Sequence, residues 1–113
     1  MDCLFCKIVG GEIPSKLVYE DEYVYAFHDI NPQAKIHIVV IPKEHIAACA
    51  DDINASNSNV IAKLFEAIPK VASAAGIEGG YRIVNNCGDN ACQSVKHIHF
   101  HMLGGEQLSE QMA

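Results

Sequence analysis

The most constraining stretch of the sequence is His97-Ile98-His99-Phe100-His101-Met102-Leu103. Polar and apolar side chains alternate there with the period of a β-strand. Alternate side chains of a strand share a face at a spacing of roughly 6.6 Å. His97, His99 and His101 therefore line one face, while Ile98, Phe100 and Met102 point into a core. Clustered imidazoles raise the cost of protonating all of them, so near neutral pH at least one stays neutral and nucleophilic. A strand whose outer face is merely polar does not account for three of the six histidines falling within five residues. Nor are the three a metal site by themselves. The outer pair is roughly 13 Å apart along a strand, so one ion would take one or two and need partners elsewhere.

The remaining chain supplies neighbours for that strand. Residues 16–20 and 23–28, rich in aromatic and β-branched side chains, read as strands around a tight turn at Asp21-Glu22. Residues 35–41 read as a further strand ended by Pro42, and residues 81–86 as another. Val60, Ile61, Leu64, Phe65, Ile68, Val71, Ala72 and Ala75 recur at helical spacing, with N-cap candidates in 54–59 and Gly76 as the stop. Pro69 inside this pattern predicts a kink. Residues 3–9 form a short helix halted by Gly10-Gly11. Five strands with one long and one short helix make an antiparallel α+β domain.

A chain of 113 residues is read as one domain, residues 1–113. Half the residues are hydrophobic and 19% are charged, which is globular composition. The net charge of −6 argues against nucleic acid or an anionic membrane surface as partner. It leaves room for a small anion held by a few aimed donors. No stretch approaches the ~18 apolar residues of a membrane span, and the opening Met1-Asp2-Cys3-Leu4-Phe5-Cys6-Lys7 lacks the features of an export signal. Five cysteines cannot all pair internally, so a reduced, cytoplasmic setting is expected, with thiols free or on metal.

The histidine strand resembles the signature of the histidine triad (HIT) superfamily, His-φ-His-φ-His-φ-φ with φ apolar. Asn86, Gln93-Ser94-Val95 and Gly104-Gly105 flank it. Phe27-His28-Asp29-Ile30-Asn31-Pro32 and Val40-Ile41-Pro42-Lys43-Glu44-His45 precede it, so the resemblance spans nearly the whole chain. Leu103-Gly104-Gly105 is similar to the Hint-like branch. That resemblance implies a HIT-like fold whose five-stranded sheet extends across a homodimer. It also implies hydrolysis of purine nucleoside 5′-phosphoramidates, and of acyl-adenylates, without a catalytic cofactor.

By the same resemblance His99 would be the nucleophile, forming a nucleotidyl-histidine that water then cleaves. His97, His101 and Ser94 complete the catalytic set. Asp29 would hold the ribose hydroxyls, and Phe5, Ile8, Phe27 and Ile30 would form a slot for the base. Asn86, Cys92, Gln93, Ser94, His99 and His101 would surround the phosphate, and His37 would orient an outer imidazole. Read without the resemblance, Asp29 is a turn cap before Asn31-Pro32, and Phe5, Ile8 and Phe27 are ordinary core. His28 reads as an exposed strand-end residue.

Cys3-x-x-Cys6 is half of a zinc site. The resemblance completes it with His45 and His97, a closed set suited to structural zinc. The bland reading is two thiols on a short helix. Three positions depart from the family pattern. Cys92 stands where glycine is usual, Lys96 replaces an apolar or aromatic residue, and the tail after Gly105 is short. Two other functions stay open: a nucleotide-binding scaffold whose turnover is incidental, and a dinucleoside polyphosphate hydrolase.

Overall fold

The computed structural model describes residues 3–112. In chain order it contains α1 (Leu4–Val9), β1 (Leu17–Glu20), β2 (Val24–His28), β3 (Ile36–Pro42), α2 (Ser58–Ala75), β4 (Tyr81–Val84) and β5 (Phe100–Gly104). Short 3-10 turns lie at Ala50–Asp52 and Asp89–Ala91. The five strands form one antiparallel sheet in the order β1-β2-β3-β5-β4, the α+β architecture expected from the sequence. No described helix is long and apolar enough to cross a membrane.

Both faces of the sheet's centre are covered, which explains why β3 reads as a continuous apolar run. Ile38 and Val40 face α2 together with Val24, Ala26, Phe100 and Met102, against Leu64, Ile68 and Val71. Val39 and Ile41 face the other way, into a smaller core with Phe5, Ile8 and Phe27. The register Val39↔His101 and Val40↔Phe100 carries the same division into β5. The imidazoles therefore share their face with α1.

Helix α2 ends as expected at Gly76, whose φ of 76° is left-handed and whose N–H reaches back to the carbonyls of Ala72 and Ser73. It also runs through Pro69 as one helical segment. Pro69 is exposed, so the carbonyl it leaves without an N–H lies on the wet side of the helix, where water can satisfy it.

Strand boundaries differ from expectation by a residue at the starts of β1 and β2, by two at the end of β4, which stops at Val84 rather than Asn86, and more tellingly at β3 and β5. β3 includes Pro42, paired with Val24, because a proline at a strand end needs only its carbonyl. β5 begins at Phe100, so His97 and His99 precede the ladder. Their backbone neighbourhood is bonded elsewhere: Ile98 N–H donates to Ala47 O at 3.0 Å, and Asn85 Nδ2 donates to His99 O at 2.8 Å. The alternation of faces nevertheless persists, with Ile98 in the α2 core and His97 and His99 against Phe5.

Candidate active site

Each imidazole of the triad is fixed by a different partner, and the partners dictate where the protons sit. A backbone carbonyl only accepts, so a ring nitrogen facing one must carry hydrogen. His99 Nδ1 lies 2.8 Å from the carbonyl of His97. It therefore donates, and Nε2 keeps its lone pair. His97 Nε2 lies 2.9 Å from the carbonyl of Pro42, which leaves the lone pair on Nδ1. On the other side, Gln33 N–H donates to His37 Nδ1 at 3.0 Å. His37 Nε2 then carries the hydrogen and donates to His101 Nδ1 at 2.8 Å. The remaining proton of a neutral His101 is thus on Nε2; its ring lies 5.1 Å from that of His99, edge to face.

The electrostatics agree with neutral rings. Burial pushes His97, His99 and His37 below the usual imidazole range, against hydrogen bonds or the Asp29 charge that push the other way. His101 is pushed down to about 4, first by burial and then by His99 and His37. Desolvation, rather than imidazole clustering, is the larger cause.

Phe5, on α1, packs its ring edge to face with His99 at 4.9 Å, and with Phe27 at 5.7 Å. Phe5, Ile8 and Phe27 are buried, so as the structure stands they are core side chains that back the triad. Ile30 is fully exposed, at the lip of a groove of about 660 Å³ lined by Lys16, His28, Asp29, Ile30, Lys35 and His37 among others. His28, which the sequence suggested was incidental, lines that groove. Asp29 does two things there. Its Oδ1 accepts Asn31 N–H at 2.8 Å, the turn cap, and its Oδ2 lies 3.5 Å from His37 Nε2. A larger cleft, about 870 Å³, lies beside Arg82 and Met112. No histidine or cysteine lines it; the smaller groove is lined by His28 and His37 and by none of the triad imidazoles, and adjoins them through the His37–His101 contact.

The loop from Asn85 to Ser94 is built on side-chain amides. Asn86 Nδ2 donates to Ala91 O at 2.7 Å. Gln93 is buried, and its Nε2 donates to both Ala48 O (2.6 Å) and Val95 O (2.9 Å), while its Oε1 accepts Gly88 N–H. Both of its side-chain donors are therefore committed to the scaffold. Ser94 is exposed. Cys92 is exposed with φ 59°, the one non-glycine residue at positive φ among those described. Glycine suits that backbone, which is a physical reason for the departure to matter. Asn85, Gln33 and the carbonyls of Pro42 and Ala47 also hold the triad. Nothing local in the sequence marks them, since all but Gln33 act through partners far along the chain.

A second cluster adjoins the first through His97. Cys3, Cys6, His45 and His97 place one ligand atom each within 4.8 Å of one another. Cys3 Sγ is 3.4 Å from His97 Nδ1, and Cys6 Sγ is 3.5 Å from His45 Nδ1 and 3.6 Å from His97 Nδ1. Sulfur at about 2.3 Å and nitrogen at about 2.05 Å on a tetrahedral zinc sit about 3.6 Å from each other. The bond from His97 Nε2 to Pro42 O turns the bare Nδ1 toward the sulfurs, as an outer partner of a zinc histidine does. The donor set fits structural zinc. His101 belongs to a separate group with Asp29 and His37, so the triad is divided as its spacing requires.

The sequence pattern of the HIT domain matches residues 10–108. The chain is 48% identical over 106 residues to an uncharacterized 13.2 kDa HIT-like protein of Azospirillum brasilense, covering 93% of this chain and 87% of that one. It is 46% identical over 108 residues to a 14 kDa zinc-binding protein of Zea mays, covering 94% and 84%. Among solved structures, a HIT family hydrolase from Clostridium thermocellum superposes with a TM-score of 0.93 at 47% identity, covering 99% of this chain and 97% of that one. A histidine triad nucleotide-binding protein from Candida albicans superposes with 0.79 at 30% identity, covering 99% and 87%. A pattern match over most of the chain, relatives near half identical and the shared fold all agree: the chain belongs to the HIT family.

Proposed function

We propose that this protein is a Hint-like hydrolase that cleaves the P–N bond of purine nucleoside 5′-phosphoramidates through a nucleotidyl-His99 intermediate. One observation carries the reading: the Nδ1–H of His99 is tied to the carbonyl of His97, so Nε2 presents a lone pair on the face where His101 carries its outer proton.

His99 Nε2 attacks the α-phosphorus, a P–N bond to histidine forms, and the bond to the leaving amine breaks. The departing nitrogen takes a proton from a water molecule whose oxygen accepts a hydrogen bond from His101 Nε2–H. The hydroxide so formed attacks the same phosphorus, the His99–phosphorus bond breaks, and the nucleoside monophosphate leaves. Asp29 at the groove suits ribose hydroxyls, and exposed Ile30 would close over a base entering against Phe5, Ile8 and Phe27. Near the phosphate, Asn86, Cys92 and Ser94 line the loop. Gln93 supports this loop from beneath. Zinc held by Cys3, Cys6, His45 and His97 would pin α1, and with it Phe5, to the triad.

The protein is proposed as a cytoplasmic homodimer with its sheet continued from subunit to subunit. The edge position of β4 with exposed Ile83 and five cysteines outside any disulfide support that reading. The test compares substrates: adenosine 5′-phosphoramidate is expected to release AMP with a kcat/KM at least tenfold above that for a diadenosine polyphosphate. The reverse order would assign the protein to the polyphosphate hydrolases, and turnover of neither would leave a binding protein.

A further inference from the structure

Two cysteines used by neither the triad nor the zinc-type cluster meet where the loop after β3 touches the loop after β4. Cys49 precedes the turn Ala50–Asp52, and Cys87 lies just before the turn Asp89–Ala91. Their Sγ atoms and a carboxylate oxygen of Asp51 lie within 4.8 Å of one another. The neighbouring Cys87 thiol is the largest reason the Cys49 thiol stands above its ordinary pKa, and Cys49 Sγ also lies 3.9 Å from Asp52 Oδ2. Both side chains are partly accessible. The scaffold enforces the approach: Gln93 Nε2 holds Ala48 O at 2.6 Å, and Ile98 N–H holds Ala47 O at 3.0 Å.

We propose that Cys49 and Cys87 form a thiol–disulfide modification site, closed by small disulfides such as glutathione disulfide, which fastens the loop carrying Asn86 and Ser94 to the segment ahead of α2. One protein thiolate attacks the small disulfide, whose S–S bond breaks, and a small thiolate leaves with a proton. The second protein thiolate attacks the mixed disulfide at the protein sulfur and expels the other small thiol. Two protein thiols are oxidised and one small disulfide is reduced, so electrons and protons balance. A bridge needs the two sulfurs, which lie within 4.8 Å of each other, to close to about 2.05 Å, with Cα atoms about 4.4–6.8 Å apart. A thiolate metal site needs about four ligands, and here the third, Asp51, is exposed. Intracellular disulfides of this kind are transient and redox-responsive.

Peptide mapping tests the site without reference to any activity. In a Cys92→Ser background, trypsin separates residues 44–63, holding Cys49, from residues 83–96, holding Cys87. Folded protein equilibrated with excess glutathione disulfide is expected to yield the two peptides linked as the dominant form, lighter by two hydrogens than their sum. With Cys49→Ser added, Cys87 is expected to stop at a glutathione adduct. Absence of the linked peptide in protein whose circular dichroism matches the reduced form overturns the proposal. So does a bridge in the unsubstituted chain that joins Cys87 to Cys92 instead.

Discussion

His37 Nε2 and His101 Nδ1 lie 2.8 Å apart, and because Gln33 N–H occupies the other nitrogen of His37, the proton between them belongs to His37. A side chain outside the triad thereby decides which nitrogen of His101 faces the reaction.

His37→Ala removes that assignment and leaves His101 free to adopt either tautomer. We expect kcat/KM on a phosphoramidate to fall roughly 10–100-fold, the usual loss when an outer partner of a working imidazole is removed. A nucleotide ester with an acidic phenol leaving group needs no proton, so its hydrolysis should fall much less. Equal losses on both substrates in steady-state kinetics would mean that His37 acts on folding rather than on proton delivery.

The depressed imidazoles make stability pH-dependent in a definite direction. His101 is held at about 4, while an unfolded histidine sits at about 6.5. Between those values the unfolded chain binds the extra proton. The contribution is therefore complete above about pH 6.5 and fades as pH falls, amounting to about 3 kcal/mol by pH 4. Urea unfolding at pH 7.5 and 4.5 should show this loss, and His101→Gln should be less sensitive to the same change. An equally steep decline in the variant would contradict the assignment.

Zinc would tie α1 to the triad through His97. Protein purified without chelator should contain about one equivalent, and Cys3→Ser or His45→Ala should lose it. Chelation should also lower Tm, since α1 contributes Phe5 and Ile8 to the smaller core. Metal content below about a tenth of an equivalent would exclude the site.

Cys92 carries a left-handed backbone without being glycine. That conformation costs an L-residue roughly 1–2 kcal/mol, offset in part by the extra freedom glycine gives the unfolded chain. Cys92→Gly is expected to stabilise by about 0.5–1 kcal/mol, read as a higher urea midpoint at unchanged slope. A destabilised variant would show that the thiol makes a compensating contact.

Much of this architecture is written locally. The alternation across 97–103 gave the division of faces, and the apolar run at β3 gave a strand covered on both sides. Gly76 gave the end of α2. What could not be read depends on distant partners. β5 starts late because the chain near His99 bonds to Ala47 and Asn85, and no local pattern announces either. Gln93 looks like a phosphate donor in sequence, yet its amide is spent on Ala48, Val95 and Gly88. Ile30 and Ile8 are the same residue type, but one is a lip and the other is core. Only packing separates them.

If His99 supplies the attacking nitrogen, release of AMP from adenosine 5′-phosphoramidate must separate the wild type from His99→Ala, with metal content and fold matched. The variant is expected to lose roughly 10⁴-fold or more in kcat. AMP released at the same rate by both proteins would contradict it.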